Sequence, residues 1–99
     1  MAIATSVNGN ELTVQVEGRF DFSAHQEFRD AYEKTEDGVK NYVIDMSRAT
    51  YLDSSALGML LLLRDHAGGD SASVRITQCN QDVKKILTIS NFEQLFTIE

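Results

Sequence analysis

Apolar and polar residues alternate through the first twenty positions of the chain. "MAIATSV" and "ELTVQVEG" carry β-branched or alternating apolar residues, and the intervening "NGN" supplies residue types that tolerate positive φ. This pattern predicts an opening β-hairpin. The period then lengthens. In "SAHQEFRDAYEKTEDG", Ala24, Phe28, Ala31, Tyr32 and Thr35 recur at three- and four-residue spacing, Ser23 is placed to cap the start and Gly38 follows the end. An amphipathic helix with one buried face is expected there. "NYVIDMS", centred on Tyr42, Val43 and Ile44, reads as a short strand, and "YLDSSALGMLLLLRDHAGG" reads as a second helix closed by Gly68 and Gly69. "SVRITQC" turns Val74 and Ile76 inward as a further strand. "NQDVKKILTIS" sets Val83, Ile86 and Leu87 on one side of a short helix that its Asn can cap, and "QLFTIE" reads as a last strand.

The predicted order is ββαβαβαβ, an α/β fold in which helices link successive strands. Such strands run parallel, so a mixed, mostly parallel sheet covered by helices is expected. Sites in these sheets gather where strands end and helices begin. Asp53, Ser54 and Ser55 lie at such a junction.

With 99 residues the chain fits one domain spanning 1–99. Its 42% hydrophobic and 24% charged residues exclude the composition of disorder. Nine basic against fifteen acidic residues leave a formal charge of −6, with no Lys/Arg cluster long enough to neutralise a run of phosphates. Nucleic acid and anionic membrane are therefore poor partners. The single Cys79 lacks the Cys/His company of a zinc site and is expected as a buried or half-buried thiol. No metal or cofactor is called for. The N-terminus has neither a basic nor an apolar targeting region and "MLLLL" is too short to span a bilayer, so a cytoplasmic protein is expected.

Three readings of the Asp-Ser-Ser junction differ in what else they require. Helix capping needs a single Asp or Ser to accept backbone N–H bonds, worth about 1 kcal/mol. A hydrolase would need Ser54 or Ser55 as nucleophile with His25 or His66 as base. The Gly-x-Ser-x-Gly elbow is absent, and His66 lies roughly 18 Å from Ser54 along the same helix. A phosphorylation switch needs an exposed hydroxyl beside a docking surface. Stepping 100° per residue puts Ala56, Met59, Leu60, Leu63 and Ala67 on one face, with Leu57 at its edge. Ser54, Gly58 and Asp65 fall opposite, flanked by Leu61 and Leu62. Either the helix is buried all round, or Leu61 and Leu62 form an exposed docking surface that the small Gly58 lets a partner approach closely.

"YLDSSALGMLLLL" resembles the signature of the STAS domain, the fold of bacterial anti-sigma factor antagonists. "VEGRFDFSAHQEF", with Gly18 and Asp21, looks like that family's Gly-x-x-Asp turn, and "NYVIDMSRATYLDSS" looks like its strand-and-loop approach to the phosphosite. The resemblance covers essentially the whole chain. It implies the STAS fold, a non-enzymatic role, and phosphorylation on Ser54, the hydroxyl directly after Asp53. It also implies a partner surface holding Asp21, Asp53, Ser54 and Ser55, to which the helical pattern adds Gly58, Leu61 and Leu62. The implied partners are a GHKL-type serine kinase that doubles as the anti-sigma factor and a PP2C-like phosphatase that restores the unphosphorylated form. Two residues depart from the pattern: Ala56 stands where glycine is usual, which favours a regular helix, and His25 stands where a small residue is common. The sequence ends on "LFTIE", so the further C-terminal helix of many members is not expected here. A second role uses the same surface without a phosphoserine: a stand-alone STAS subunit bound to a membrane transporter's ATPase.

Overall fold

A computed structural model describes residues 2–33, 39–69 and 73–99. The N-terminal alternation forms the hairpin it predicts. β1 (Ala2–Asn8) and β2 (Glu11–Phe20) pair antiparallel, with Thr5 opposite Val14, and Gly9 in the turn takes φ +64°, which glycine adopts without a Cβ clash. β3 (Asn41–Leu52) runs parallel to β2, β4 (Ser73–Thr77) parallel to β3, and β5 (Thr97–Ile98) parallel to β4. The five strands therefore lie side by side in chain order. The parallel pairs are joined through α1 (His25–Glu33), α2 (Ser54–His66) and α3 (Gln81–Ile89), giving the ββαβαβαβ order.

Register decides which side of the sheet is dry. Val14 is opposite Ile44, and Ile44 is opposite Ile76, so these three share one face with Leu12, Val16, Tyr42, Met46 and Val74. That face packs with Phe28 and Tyr32 of α1, Ala56, Met59, Leu60 and Leu63 of α2, and Val83 and Leu87 of α3. Each large apolar side chain so buried contributes about 1.5–3 kcal/mol. The opposite face carries Glu11, Thr13, Gln15, Asp45, Arg75 and Thr77, all half-buried. Among the described residues no helix is long and apolar enough to cross a membrane.

Three elements differ from their sequence pattern. Asp21, and not Ser23, starts the first helical segment: its carboxylate accepts the Ser23 amide of a 3-10 turn over Phe22–Ala24 that leads into α1. Thr35 and Gly38, expected in and after this helix, lie outside the described residues. β3 continues five residues beyond "NYVIDMS" to Leu52, because β2 follows it through two register shifts, between Gln15 and Glu17 and between Gly18 and Arg19. These shifts break the alternation, so the polar Ser47 and Arg48 look like loop although the strand goes on. In "QLFTIE" only Thr97 and Ile98 are strand. Phe92 and Phe96 instead fill the core from a 3-10 turn and its exit, their rings stacked at 5.4 Å.

Candidate functional site: the β3–α2 junction

The site is built where β2 and β3 end together. Phe20 is the register partner of Leu52, and the Asp53 amide donates to the Phe20 carbonyl at 3.3 Å. The next residues of the two strands, Asp21 and Asp53, are therefore neighbours. Each carboxylate caps the segment that follows it.

Asp53 has extended backbone and accepts the Ala56 amide at 2.9 Å and the Ser55 hydroxyl at 2.7 Å. Ser55 is half-buried and tied into this cap. Ser54 differs on both counts: it is exposed, and its hydroxyl has no hydrogen-bond partner among the described residues. Capping thus accounts for Asp53 and Ser55, leaving Ser54 as a free hydroxyl on the first turn of α2. Ala56 is fully buried and helical, as its place in the core face requires.

Asp21 holds the Ser23 amide at 3.0 Å together with the Ser23 hydroxyl, and Arg19 Nε lies 3.7 Å from its second oxygen. The Ser23 hydroxyl bond, followed by the Ser23 amide and with a smaller contribution from Arg19, holds this carboxyl below its ordinary value of 3.8. The Arg19 guanidinium also sits over the Tyr51 ring, 4.7 Å from its centroid, a contact favoured by the ring quadrupole. Arg19, Asp21, Tyr51 and Asp53 make one charged, partly aromatic border beside Ser54.

The outward side of α2 supplies the apolar part. Leu61 and Leu62 are 38% and 52% exposed, so the helix is not buried all round. A Cβ added to the half-buried Gly58 would meet nothing within 4 Å, so its own fold does not demand a glycine there. Two exposed aromatics extend the surface beyond the residues singled out in the sequence. Phe22 is 69% exposed and lies nearly parallel to the His25 ring at 5.4 Å, and Tyr51 is 41% exposed. Phe22 falls out of phase with the buried Ala24, Phe28 and Tyr32, the one signal that could have marked it.

Neither histidine is arranged as a base for Ser54. His66 packs its ring against Tyr32 at 5.0 Å from the far end of the 13-residue α2, and His25 stacks on Phe22. The half-buried Cys79 has its thiol pKa raised by burial, which Lys84 opposes to a smaller extent. Among the described residues no group of His, Cys, Asp and Glu is placed to hold a metal ion.

A family model described as "Mlab, STAS domain" matches residues 3–97. A STAS-domain containing protein of Pseudomonas aeruginosa, PA14_20770, is 63% identical over 93 residues, 94% of this chain and 92% of that protein. Among solved structures, the anti-sigma factor antagonist SpoIIAA in its unphosphorylated form superposes with a TM-score of 0.72 at 14% identity, over 99% of this chain and 87% of its own. The Bacillus SpoIIAA in its phosphorylated form gives 0.69 at 14% identity, covering 99% and 91%. A sulfate transporter family protein from Wolinella succinogenes gives 0.77 at 13% identity, covering 90% and 73%. The distant structures share the fold, and the family match along nearly the whole chain goes further: this protein belongs to the STAS domain family.

Proposed function

We propose that the chain is an anti-sigma factor antagonist operated by phosphorylation of Ser54. The unphosphorylated form binds a GHKL-type serine kinase that is also the anti-sigma factor, and so releases the sigma factor. That kinase then transfers the γ-phosphoryl of ATP to Ser54 Oγ, which gives up its proton as ADP leaves. A PP2C-like phosphatase hydrolyses the ester and restores the hydroxyl. The chain contributes a nucleophile and a surface and is not an enzyme, and the cycle belongs in the cytoplasm, where ATP is available.

The observation that carries this reading is the difference between adjacent hydroxyls: Ser55 is engaged by Asp53, whereas Ser54 is exposed and unengaged. Leu61, Leu62 and Gly58 form the apolar centre of the docking surface, with Ser54, Ser55, Asp21 and Asp53 at its border. A phosphate adds about −1.5 to −2 charges there, and the free amides at the start of α2 accommodate it without unfolding the helix. The cost of desolvating this added charge beside Asp21 and Asp53, and its bulk at the contact surface, then oppose docking.

Intact-mass measurement and peptide mapping of the protein from its own cells test the assignment. A fraction carrying one phosphate on Ser54 is expected; phosphate on Ser55, or none under any growth condition, overturns it. The fold shared with a sulfate transporter family protein favours one second reading, a regulatory subunit docked by the same α2 surface on a transporter ATPase. Co-purification with an ATPase, together with Ser54 unmodified throughout, is the outcome that selects it.

A further inference from the structure

The junction carrying Ser54 is tied down on only one side by the sheet. β2 accompanies β3 all the way to Leu52, but β4 leaves it early: the last β3–β4 pair is Asp45 with Thr77, and Gln78 turns the chain away with φ +58°. Among the described residues, no strand pairs with β3 on that flank from Met46 onward. Ala49 lies in this stretch with its side chain buried, and a backbone carbonyl there needs a partner. The partner is a side chain 31 residues away: Asn80 Nδ2 donates to the Ala49 carbonyl at 3.0 Å. The same side chain caps α3, its Oδ1 accepting the Val83 amide at 2.8 Å. Because the Val83 N–H can only donate, the oxygen must face α3 and the NH2 must face β3, so the side-chain orientation is set by its two partners.

We infer that Asn80 is a positioning residue for the Ser54 site: its amide stands in for the missing strand, clamping the last part of β3 between β2 and the start of α3. What it positions is the backbone from Ala49 to Asp53, which sets where α2 begins and where the Ser54 hydroxyl stands. This inference rests on the phosphorylation reading for its consequence, and on the two hydrogen bonds alone for its structural content.

The two halves of the Asn80 side chain can be separated. Asn80→Asp and Asn80→Ser both keep an oxygen that caps α3, since Asp, Asn and Ser are nearly equal at this position. Both lose the NH2 that reaches Ala49. If Asn80 served only as a cap, both variants would match the wild type in every measurement. We expect instead a melting temperature close to wild type, with amide hydrogen exchange at residues 49–54 accelerated about fivefold, the equivalent of one net hydrogen bond, and exchange in β1 and β4 unchanged. We also expect the fraction of chains phosphorylated on Ser54 in cells to fall. Unchanged exchange at 49–54 in both variants overturns the clamp. Accelerated exchange with phosphorylation undiminished overturns its role at the site. Uniformly accelerated exchange across the sheet in both variants makes Asn80 an element of global stability and also overturns the inference. Should Asn80→Asp not fold because its carboxylate faces the Ala49 carbonyl, Asn80→Ser carries the test without that charge. A wild-type protein never phosphorylated on Ser54 refutes the functional reading, while the exchange measurement still decides the clamp.

Discussion

The amide of Asp53 donates to the carbonyl of Phe20 across the ends of two parallel strands, at 3.3 Å. One hydrogen bond thereby couples the cap of α2 to the strand end that continues into Asp21. The two acidic residues, 32 positions apart in sequence, are held as neighbours by the register of β2 on β3, and Ser54 follows directly. Substitutions at this junction should act locally, and those in the core beneath it globally.

On the proposed phosphorylation switch the neutral side chain is the binding form, so Ser54→Ala should retain affinity for the proposed kinase and Ser54→Asp should weaken it. Titration calorimetry of both variants against the kinase checks this. Equal affinities would remove Ser54 from the switch.

Leu62 and Leu63 are adjacent and should behave oppositely. Leu62→Gln alters a half-exposed side chain, so it should leave the melting curve almost unchanged while costing the complex about 2 kcal/mol or more. Leu63→Ala empties a fully buried position and should cost about 2–5 kcal/mol of stability. Urea unfolding of the two variants, with binding measured in parallel, tests the contrast; a large stability loss in Leu62→Gln would return that leucine to the core.

Asp53→Ala removes the cap that holds the Ala56 amide and should destabilise the fold by about 1 kcal/mol, whereas Asp53→Asn should retain most of it. Chemical denaturation at neutral pH distinguishes them. A loss equal in both would point to the charge of Asp53 and not to its hydrogen bonds.

Asp21 supplies a test in pH. Its folded pKa lies below 3.8, chiefly through the Ser23 hydroxyl. Ionised Asp21 therefore supports the fold above the unfolded value, and that support is lost as pH falls through the lower, folded value. Ser23→Ala should raise the Asp21 pKa toward 3.8, read directly by carboxyl carbon NMR. A titration curve that does not move would show that the Ser23 bond is not what holds the carboxylate ionised.

Phosphorylation of Ser54 should shift amide resonances around residues 51–62 and the Asp21 turn only, since the start of α2 can accept the anion without changing topology. Shifts spread through β1 and β4 would mean a global rearrangement.

Much of this architecture was legible in linear order. α1 and α3 show themselves because buried residues recur every three or four positions, and β2 and β4 because theirs recur every two; the core face of α2 follows from the same angular step. The parallel sheet follows from helices standing between strands. The Asp-Ser-Ser junction was visible too, but not the division of labour within it. Which hydroxyl is free depends on where β3 stops, and β3 stops where β2 does, after two register shifts that local alternation does not encode. The exposure of Phe22 and Tyr51 likewise depends on what packs beside them. So does the bond from Asn80 to Ala49, since a side chain reaching a strand carbonyl 31 residues away is set by the path of β4 and α3 around it and leaves no periodic trace. Periodicity records which face of an element is buried. The hydrogen bonds that join the ends of different elements are fixed only when the whole sheet closes.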